Sequence, residues 1–187
     1  MPTLYIKNMV CNRCIMVVES ELNKAGIIAS LVKLGEVVLE KEPTEEELQQ
    51  FTSAIESLGF ERIDDKKSRI IEQIKNKIIH LVHYEYNASK INLSEVLSSH
   101  LNHDYNYLSN LFSEVEGTTI EKYYIAQKIE KVKELLVYDE LSLSEIADRL
   151  NYSSVAYLSN QFKKVTGLSP SHFKQIGLEK RKPLDQI

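Results

Sequence analysis

Two cysteines, Cys11 and Cys14, are the residues whose type and spacing best suit chemistry in this chain. They lie in the segment Met9-Val10-Cys11-Asn12-Arg13-Cys14. Two thiolates on one loop suit a soft ion such as Cu(I) far better than Mg²⁺ or Ca²⁺. Structural zinc takes four ligands, and this segment supplies two. We expect Arg13 and a helix N-terminus to lower the pKa of the Cys14 thiol.

The elements around this loop follow from the pattern of apolar residues. Residues 3–8 alternate as a strand, and residues 15–25 form a helical face that ends at Gly26. Two strands, 27–34 and 36–40, turn at Gly35. Thr44 caps a helix with inward positions at Leu48, Phe51, Ile55 and Leu58, and residues 60–63 form a last strand. The predicted order βαββαβ is that of the ferredoxin-like unit.

With its MxCxxC after the first strand and Leu58-Gly59-Phe60 before the last, the segment 3–63 resembles the heavy-metal-associated domain of copper chaperones and copper-pumping ATPases. The resemblance implies that Cys11 and Cys14 bind Cu(I) and that Met9 packs beneath the loop. A thioredoxin-type redox pair is the competing interpretation of the cysteine spacing, and the βαββαβ order argues against it. A metal-free domain kept for dimerisation or packing remains an alternative.

Histidines are the other candidate metal ligands. His80 and His83 lie three residues apart, as do His100 and His103. No cysteine or carboxylate stands at zinc-site spacing from either pair, so solvation or capping is favoured over a second metal site.

An internal repeat organises the rest of the chain. Residues 93–117 and 143–167 agree at ten of twenty-five positions with a constant offset of fifty, including Tyr-Leu-Ser-Asn at 107–110 and 157–160. Each copy predicts a short helix, a tight turn and a second helix, the helix-turn-helix pattern that presents its second helix to a DNA major groove. In the second copy, Ser142 or Ser144 caps the first helix, and the cluster 151–154 forms the turn. We expect inward positions at Val155, Leu158, Phe162 and Val165.

Two longer helices are predicted around the first copy. An amphipathic helix extends from Lys66 towards Tyr86, and one of about twenty residues joins the two copies. The joining helix would be about 30 Å long, close to the 34 Å of one turn of B-DNA.

Residues 67–178 resemble the AraC/XylS family of bacterial transcription regulators. The resemblance rests on the doubled helix-turn-helix and above all on the segment 141–174, LSLSEIADRLNYSSVAYLSNQFKKVTGLSPSHFK. The resemblance implies that the second helix of each copy enters the major groove. The implied DNA-binding residues are Asn106, Ser109, Asn110, Ser153, Ser154, Ala156, Tyr157, Asn160 and Gln161, with Lys163 and Lys164 on phosphate. Many members have Arg where this chain has Asn110 and Asn160. Because Asn pairs with adenine, this difference predicts an A·T-rich site.

Charge supports DNA binding only in the second part of the chain. Residues 1–65 carry 6 Lys/Arg against 12 Asp/Glu, whereas residues 66–187 carry 17 against 15. In the first copy, Ser113-Glu114 replaces Lys163-Lys164 of the second. We therefore expect the second copy to supply most of the affinity for phosphate.

The sequence predicts an α+β ferredoxin-like domain at 1–64 and an all-α domain at 65–187 built of two helix-turn-helix modules on a linker helix. It predicts a cytoplasmic transcription regulator, not an enzyme, that binds double-stranded DNA and responds to Cu(I) on its cysteines. No membrane partner is expected. A second copy of the chain, in a homodimer, and RNA polymerase are further candidate partners. The alternative function from another class is a copper chaperone with a helical docking domain.

Overall fold

The computed structural model describes residues 2–63, 65–85 and 92–176. The chain divides into two compact units, Met1–Asn76 and Lys77–Ile187. This division lies within one helix, whereas the sequence pattern changes near residue 64. The predicted domain boundary at 64–65 stays a prediction.

The first unit is built on one antiparallel sheet of four strands. Its elements are β1 (Thr3–Lys7), α1 (Asn12–Lys24), β2 (Ala29–Lys33), β3 (Glu36–Leu39), α2 (Glu45–Ser57), β4 (Glu61–Ile63) and the first part of α3 (Lys66–His83). The strand order is β2-β3-β1-β4. Leu4 of β1 pairs with Val37 of β3, and Ile6 pairs with Arg62 of β4.

Side chains of the sheet and of α1 and α2 form the core of this unit. Ile6, Val18, Phe51 and Ile55 are fully buried there, and the Thr44–Glu47 capping box that begins α2 is present. The inward position expected for Leu58 is wrong, because this side chain is 51% exposed. Leu58 is the C-cap of α2, where the backbone has already left helical geometry.

The turn between β2 and β3 requires glycine. Gly35 has a φ of +78°, and a Cβ at this position would lie 2.2 Å from Nδ2 of Asn76. The same amide donates a hydrogen bond of 3.2 Å to the carbonyl oxygen of Leu34. A side chain at residue 35 would therefore strain the backbone and displace the amide that holds the turn.

The second unit is helical in its described residues. Beyond the end of α3 it contains α4 (Leu93–Leu101), α5 (Tyr105–Glu116), α6 (Ile120–Tyr138), α7 (Leu143–Arg149), α8 (Val155–Thr166) and α9 (Pro170–Ile176). The pairs α4–α5 and α7–α8 begin fifty residues apart, as the repeat predicts. The joining helix is α6, with nineteen residues. The short helix α9 is an addition to the prediction, and its Phe173 packs on Phe162 with ring centroids 5.5 Å apart.

Helix ends in this unit are fixed by local hydrogen bonds. Asp104 accepts from the backbone nitrogen of Asn106 at 2.9 Å, and Ser154 accepts from that of Tyr157 at 3.0 Å. The helices α5 and α8 both end at glycines with left-handed backbone, Gly117 and Gly167. These caps set where each helix begins and ends, and hence which of its residues face outward. Within the described ranges, no helix combines the length and apolar character that crossing a membrane requires.

Candidate nucleic-acid interface

The helix α8 has one apolar face and one polar face. Leu158 and Phe162 are fully buried in a core shared with α6, α7 and α9. The opposite side carries exposed residues at helical spacing, so that they form one continuous surface. These residues are Ala156, Tyr157, Asn160, Lys163 and Lys164, with the half-buried Gln161 beside them.

The equivalent helix α5 repeats this arrangement. Leu108 and Phe112 are fully buried, at the positions of Leu158 and Phe162. Asn106 and Asn110 are exposed, and Ser109 is half-buried. Both helices therefore present the sequence-predicted side chains on the outer surface of their own module.

Two valines shared by the repeats lie on the surface and not in the core. Val115 and Val165 are each 48% exposed, although Val165 was expected to point inward. They sit in the last turn of α5 and α8, beyond the buried phenylalanines. Tyr107 and Tyr157 are also large exposed residues. The shared residues of the repeats are thus both core and surface.

The charge of the two outer surfaces differs. Lys163 and Lys164 are exposed in the last turn of α8. At the equivalent positions of α5, Ser113 is half-buried and Glu114 is exposed. The surface of α8 is therefore the more attractive of the two to a polyanion.

Ser153 and Ser154 lie at the start of α8, and both are exposed. The hydroxyl oxygen of Ser154 accepts from the backbone nitrogen of Tyr157. Ser154 is therefore a helix cap in the structure itself, with its O–H still available as a donor to an anion.

Tyr152 is buried, although the sequence pattern indicated only that it belongs to a polar turn. Its hydroxyl donates a hydrogen bond of 2.7 Å to Oε1 of Gln161 on α8. The Nζ atom of Lys128, on α6, lies 3.8 Å from the centroid of its ring. The signal available in the sequence was an aromatic residue flanked by Asn151 and Ser153, which indicates an anchored turn. Tyr152 thus connects the linker helix to the outer surface of α8.

The cysteine loop of the first unit brings its two thiols together. The sulfur atoms of Cys11 and Cys14 are 3.5 Å apart, and both residues are free and half-buried. Cys11 is the N-cap of α1, and its carbonyl accepts from the backbone nitrogen of Cys14 at 2.9 Å. Met9 is fully buried in the core of the unit.

The expected decrease in the pKa of Cys14 is wrong. Burial raises the pKa of this thiol, and the neighbouring Cys11 raises it further. Backbone hydrogen bonds at Val10 and Cys11 act in the opposite direction but are outweighed. The half-buried environment therefore dominates over the position at a helix N-terminus.

The geometry of the two sulfurs fits a chelated soft ion after a small movement. With metal–sulfur bonds of about 2.3 Å, tetrahedral coordination places two sulfurs about 3.8 Å apart, and linear coordination places them about 4.6 Å apart. The observed 3.5 Å is closer to the tetrahedral value. Among the described residues, no group of three or more His, Cys, Asp or Glu could hold a metal ion. A four-ligand structural zinc site is therefore not formed by this part of the chain.

The first histidine pair, His80 and His83, has ordinary partners. His80 contacts Oε1 of Glu85 through Nδ1 at 3.0 Å. His83 is buried and contacts Oε1 of Gln127 through Nε2 at 3.2 Å, so it is not the surface residue that the sequence suggested.

Comparison with known proteins identifies the helical unit. A family model described as a helix-turn-helix domain matches residues 97–176, the range that carries α5, α6, α7, α8 and α9. The chain carries an AraC-type helix-turn-helix domain. The C-terminal domain of AraT, a response regulator from Geobacillus stearothermophilus, is similar to this domain in structure, with a TM-score of 0.51 and 26% identity over 64% of this chain and 95% of that one.

Curated relatives of the helix-turn-helix domain are described as regulators. An uncharacterized HTH-type transcriptional regulator of Bacillus subtilis, YtdP, is 26% identical over 69% of this chain and 17% of its own length. The xylose operon regulatory protein of Escherichia coli K12 is 33% identical over 38% of this chain and 18% of its own length. The chain spans less than a fifth of these two relatives. Both are described as regulators, in agreement with the sequence-based expectation of a transcription regulator and not an enzyme.

Proposed function

We propose that this protein is a sequence-specific DNA-binding transcription regulator that uses α5 and α8 as its two DNA-contacting helices. The observation that carries the proposal is the exposure of the same outer positions on both helices, Asn110 and Asn160 above all, over equivalent buried residues. The match to a helix-turn-helix domain over 97–176 supports it.

The two helices have unequal roles in this proposal. Lys163 and Lys164 neutralise phosphates beside α8, which gives affinity without sequence preference. Asn160, Gln161 and Tyr157 contact base edges. The helix α5 contributes mainly through Asn106, Ser109 and Asn110, because Glu114 at its end repels phosphate. Asn110 and Asn160 favour adenine, so the site is A·T-rich.

Selection from a pool of randomised duplexes tests this function directly. The full chain should enrich a defined sequence, and its affinity for that sequence should fall steeply as salt rises. The proposal is rejected if the chain binds no DNA, or if it binds every duplex equally and independently of salt. Protein docking would then be the role of the helical unit.

We also propose that the first unit is a ferredoxin-like domain of the heavy-metal-associated type, and that it senses a soft metal such as Cu(I). Its element order and strand order support the fold, and the 3.5 Å between the sulfurs of Cys11 and Cys14 supports the chelation. Metal binding would separate the two sulfurs and rigidify the loop, or join two loops in a homodimer. Because binding equilibria are linked, bound DNA must change the metal affinity by the same factor.

A Cu(I) titration of the reduced chain, with and without its selected DNA, tests the sensing proposal. The wild-type chain should bind one equivalent, or half an equivalent if one ion joins two loops in a homodimer, and its DNA affinity should change. Cys11→Ser/Cys14→Ser should abolish both effects while leaving metal-free DNA binding intact. If the double variant behaves like wild type with metal, the sensing proposal is wrong and the metal-free alternative stands.

A further inference from the structure

The hydrogen bond between Tyr152 and Gln161 bears on which bases α8 recognises. Gln161 has one amide oxygen, which accepts, and one amide nitrogen, which donates two hydrogen bonds. Bidentate recognition of adenine uses both ends, with the oxygen accepting from N6 and the nitrogen donating to N7. In the structure, the oxygen already accepts from the hydroxyl of Tyr152 at 2.7 Å.

The surroundings of Tyr152 fix the direction of this bond. Tyr152 is buried, and burial together with Tyr124 and Tyr157 raises the pKa of its phenol, so the group keeps its proton and donates. The ammonium nitrogen of Lys128 lies 3.8 Å from the ring centroid, and this cation–π contact holds the ring in place. If the amide were reversed, the buried O–H would lose its acceptor, a loss that is costly in a buried site.

The orientation of Gln161 follows from this bond. Its oxygen is turned towards Tyr152, and its NH₂ group is the end that remains for an outside partner. Gln161 is half-buried, with Tyr157 and Lys164 on the same stripe of α8 at helical spacing.

We propose that Tyr152 is a positioning residue that makes Gln161 a donor-only contact, so that α8 prefers guanine over adenine at one base pair. Guanine offers two acceptors in the major groove, O6 and N7, to which an NH₂ group can donate. Adenine offers one acceptor there, and its N6 donor meets an amide oxygen that the bond to Tyr152 holds turned away from an outside partner. This inference rests on the proposed DNA-binding function, and it adds one guanine-preferring position to a site that the two asparagines make A·T-rich.

The experiment first measures the base preferences of variants of the full chain by selection from randomised duplexes. It then measures their affinities for two duplexes that differ only at the base pair contacted by Gln161. Tyr152→Phe removes the hydroxyl and keeps the ring beneath Lys128. It should shift the preference at one position from guanine towards adenine by roughly tenfold, within the usual range for one bidentate contact, and leave other positions unchanged. Tyr124→Phe is the matched control, because the Tyr124 ring also lies near Lys128, at 5.6 Å. It should leave every preference as in wild type.

Two substitutions of Gln161 test the same idea if Tyr152→Phe folds poorly. Gln161→Lys presents only donors and should keep the preference for guanine, whereas Gln161→Met should lose it. An adenine preference in wild type at the position sensitive to Gln161 would overturn the inference. So would a Tyr152→Phe effect that persists in the Gln161→Met background. A wild-type chain that enriches no sequence would instead reject the proposed function itself.

Discussion

The ammonium nitrogen of Lys128 lies 3.8 Å from the centroid of the Tyr152 ring, so that α6 and the turn before α8 are joined by a cation–π contact. Both residues are buried. Burial lowers the pKa of Lys128 to about 8, whereas the ring faces of Tyr152 and Tyr124 favour its charged form. A charge that costs free energy to bury thus lies directly behind the outer surface of α8.

The stability of the protein should depend on the protonation of Lys128. The pKa of this residue falls from 10.5 to about 8 on folding. Between these values the unfolded chain holds the proton more tightly, so raising the pH favours the folded chain. The unfolding free energy of wild type relative to Lys128→Met should therefore rise from pH 8 to pH 10.5, by up to about 3 kcal/mol. Urea unfolding at a series of pH values measures this difference.

Lys122→Met provides the control for this experiment, since Lys122 is an exposed lysine on the same helix. The difference between wild type and this control should stay nearly constant over the same pH range. If the difference in unfolding free energy between wild type and Lys128→Met is also constant with pH, burial does not disfavour the charged form of Lys128.

Lys163→Ala/Lys164→Ala should weaken the binding of every DNA sequence to a similar extent. Each lysine that neutralises a phosphate contributes about 0.9 to the slope of log affinity against log salt, so the slope should flatten by about 2. Titrations at several salt concentrations, on specific and unrelated duplexes, measure both effects. The equivalent change in the first module, Ser113→Ala/Glu114→Ala, should neither flatten the slope nor weaken binding, because it removes a negative charge and no phosphate-neutralising lysine. Equal losses from the two double variants would contradict the asymmetry between the modules.

Ser154 should reveal two separable roles. Ser154→Ala removes the cap of α8 and should lower the unfolding free energy by about 1 kcal/mol. Ser154→Asp keeps a capping oxygen but adds a negative charge, so it should retain stability and weaken DNA binding. Asp104→Ala removes the equivalent cap of α5 and should cost a similar amount of stability. If Ser154→Asp binds DNA as tightly as wild type, Ser154 is a cap alone.

Asn160→Ala should relax specificity at one base pair instead of weakening binding uniformly. The loss of one bidentate contact is worth about 1–3 kcal/mol on the preferred duplex and little on a duplex changed at that pair. Asn110→Ala should have a smaller effect, because Glu114 keeps α5 farther from phosphate. Selection with each variant measures both outcomes. A larger loss from Asn110→Ala would mean that α5 is the dominant contact.

The sequence by itself determined the elements and their repetition. Alternation and helical spacing depend only on which residues are apolar, and capping depends on residues within one turn. The helices before α9, the Thr44 cap and the fifty-residue offset could therefore be predicted, and the structure selects Ser142 over Ser144 as the cap of α7. The outward positions of Asn110 and Asn160 were implied by the resemblance to the AraC/XylS family, and both side chains are exposed. Periodicity failed at Leu58 and Val165, because each lies at a helix end where the core no longer covers the helical face.

Only the tertiary structure decided which polar groups meet. Lys128, Tyr152 and Gln161 lie on three different segments, and nothing in their spacing indicates that a buried ring joins an ammonium group to an amide. The pKa of Cys14 is another case, since the sequence showed the helix N-terminus but not the burial that outweighs it. Burial and hydrogen-bond partners depend on packing between distant segments, and local sequence patterns do not encode that packing.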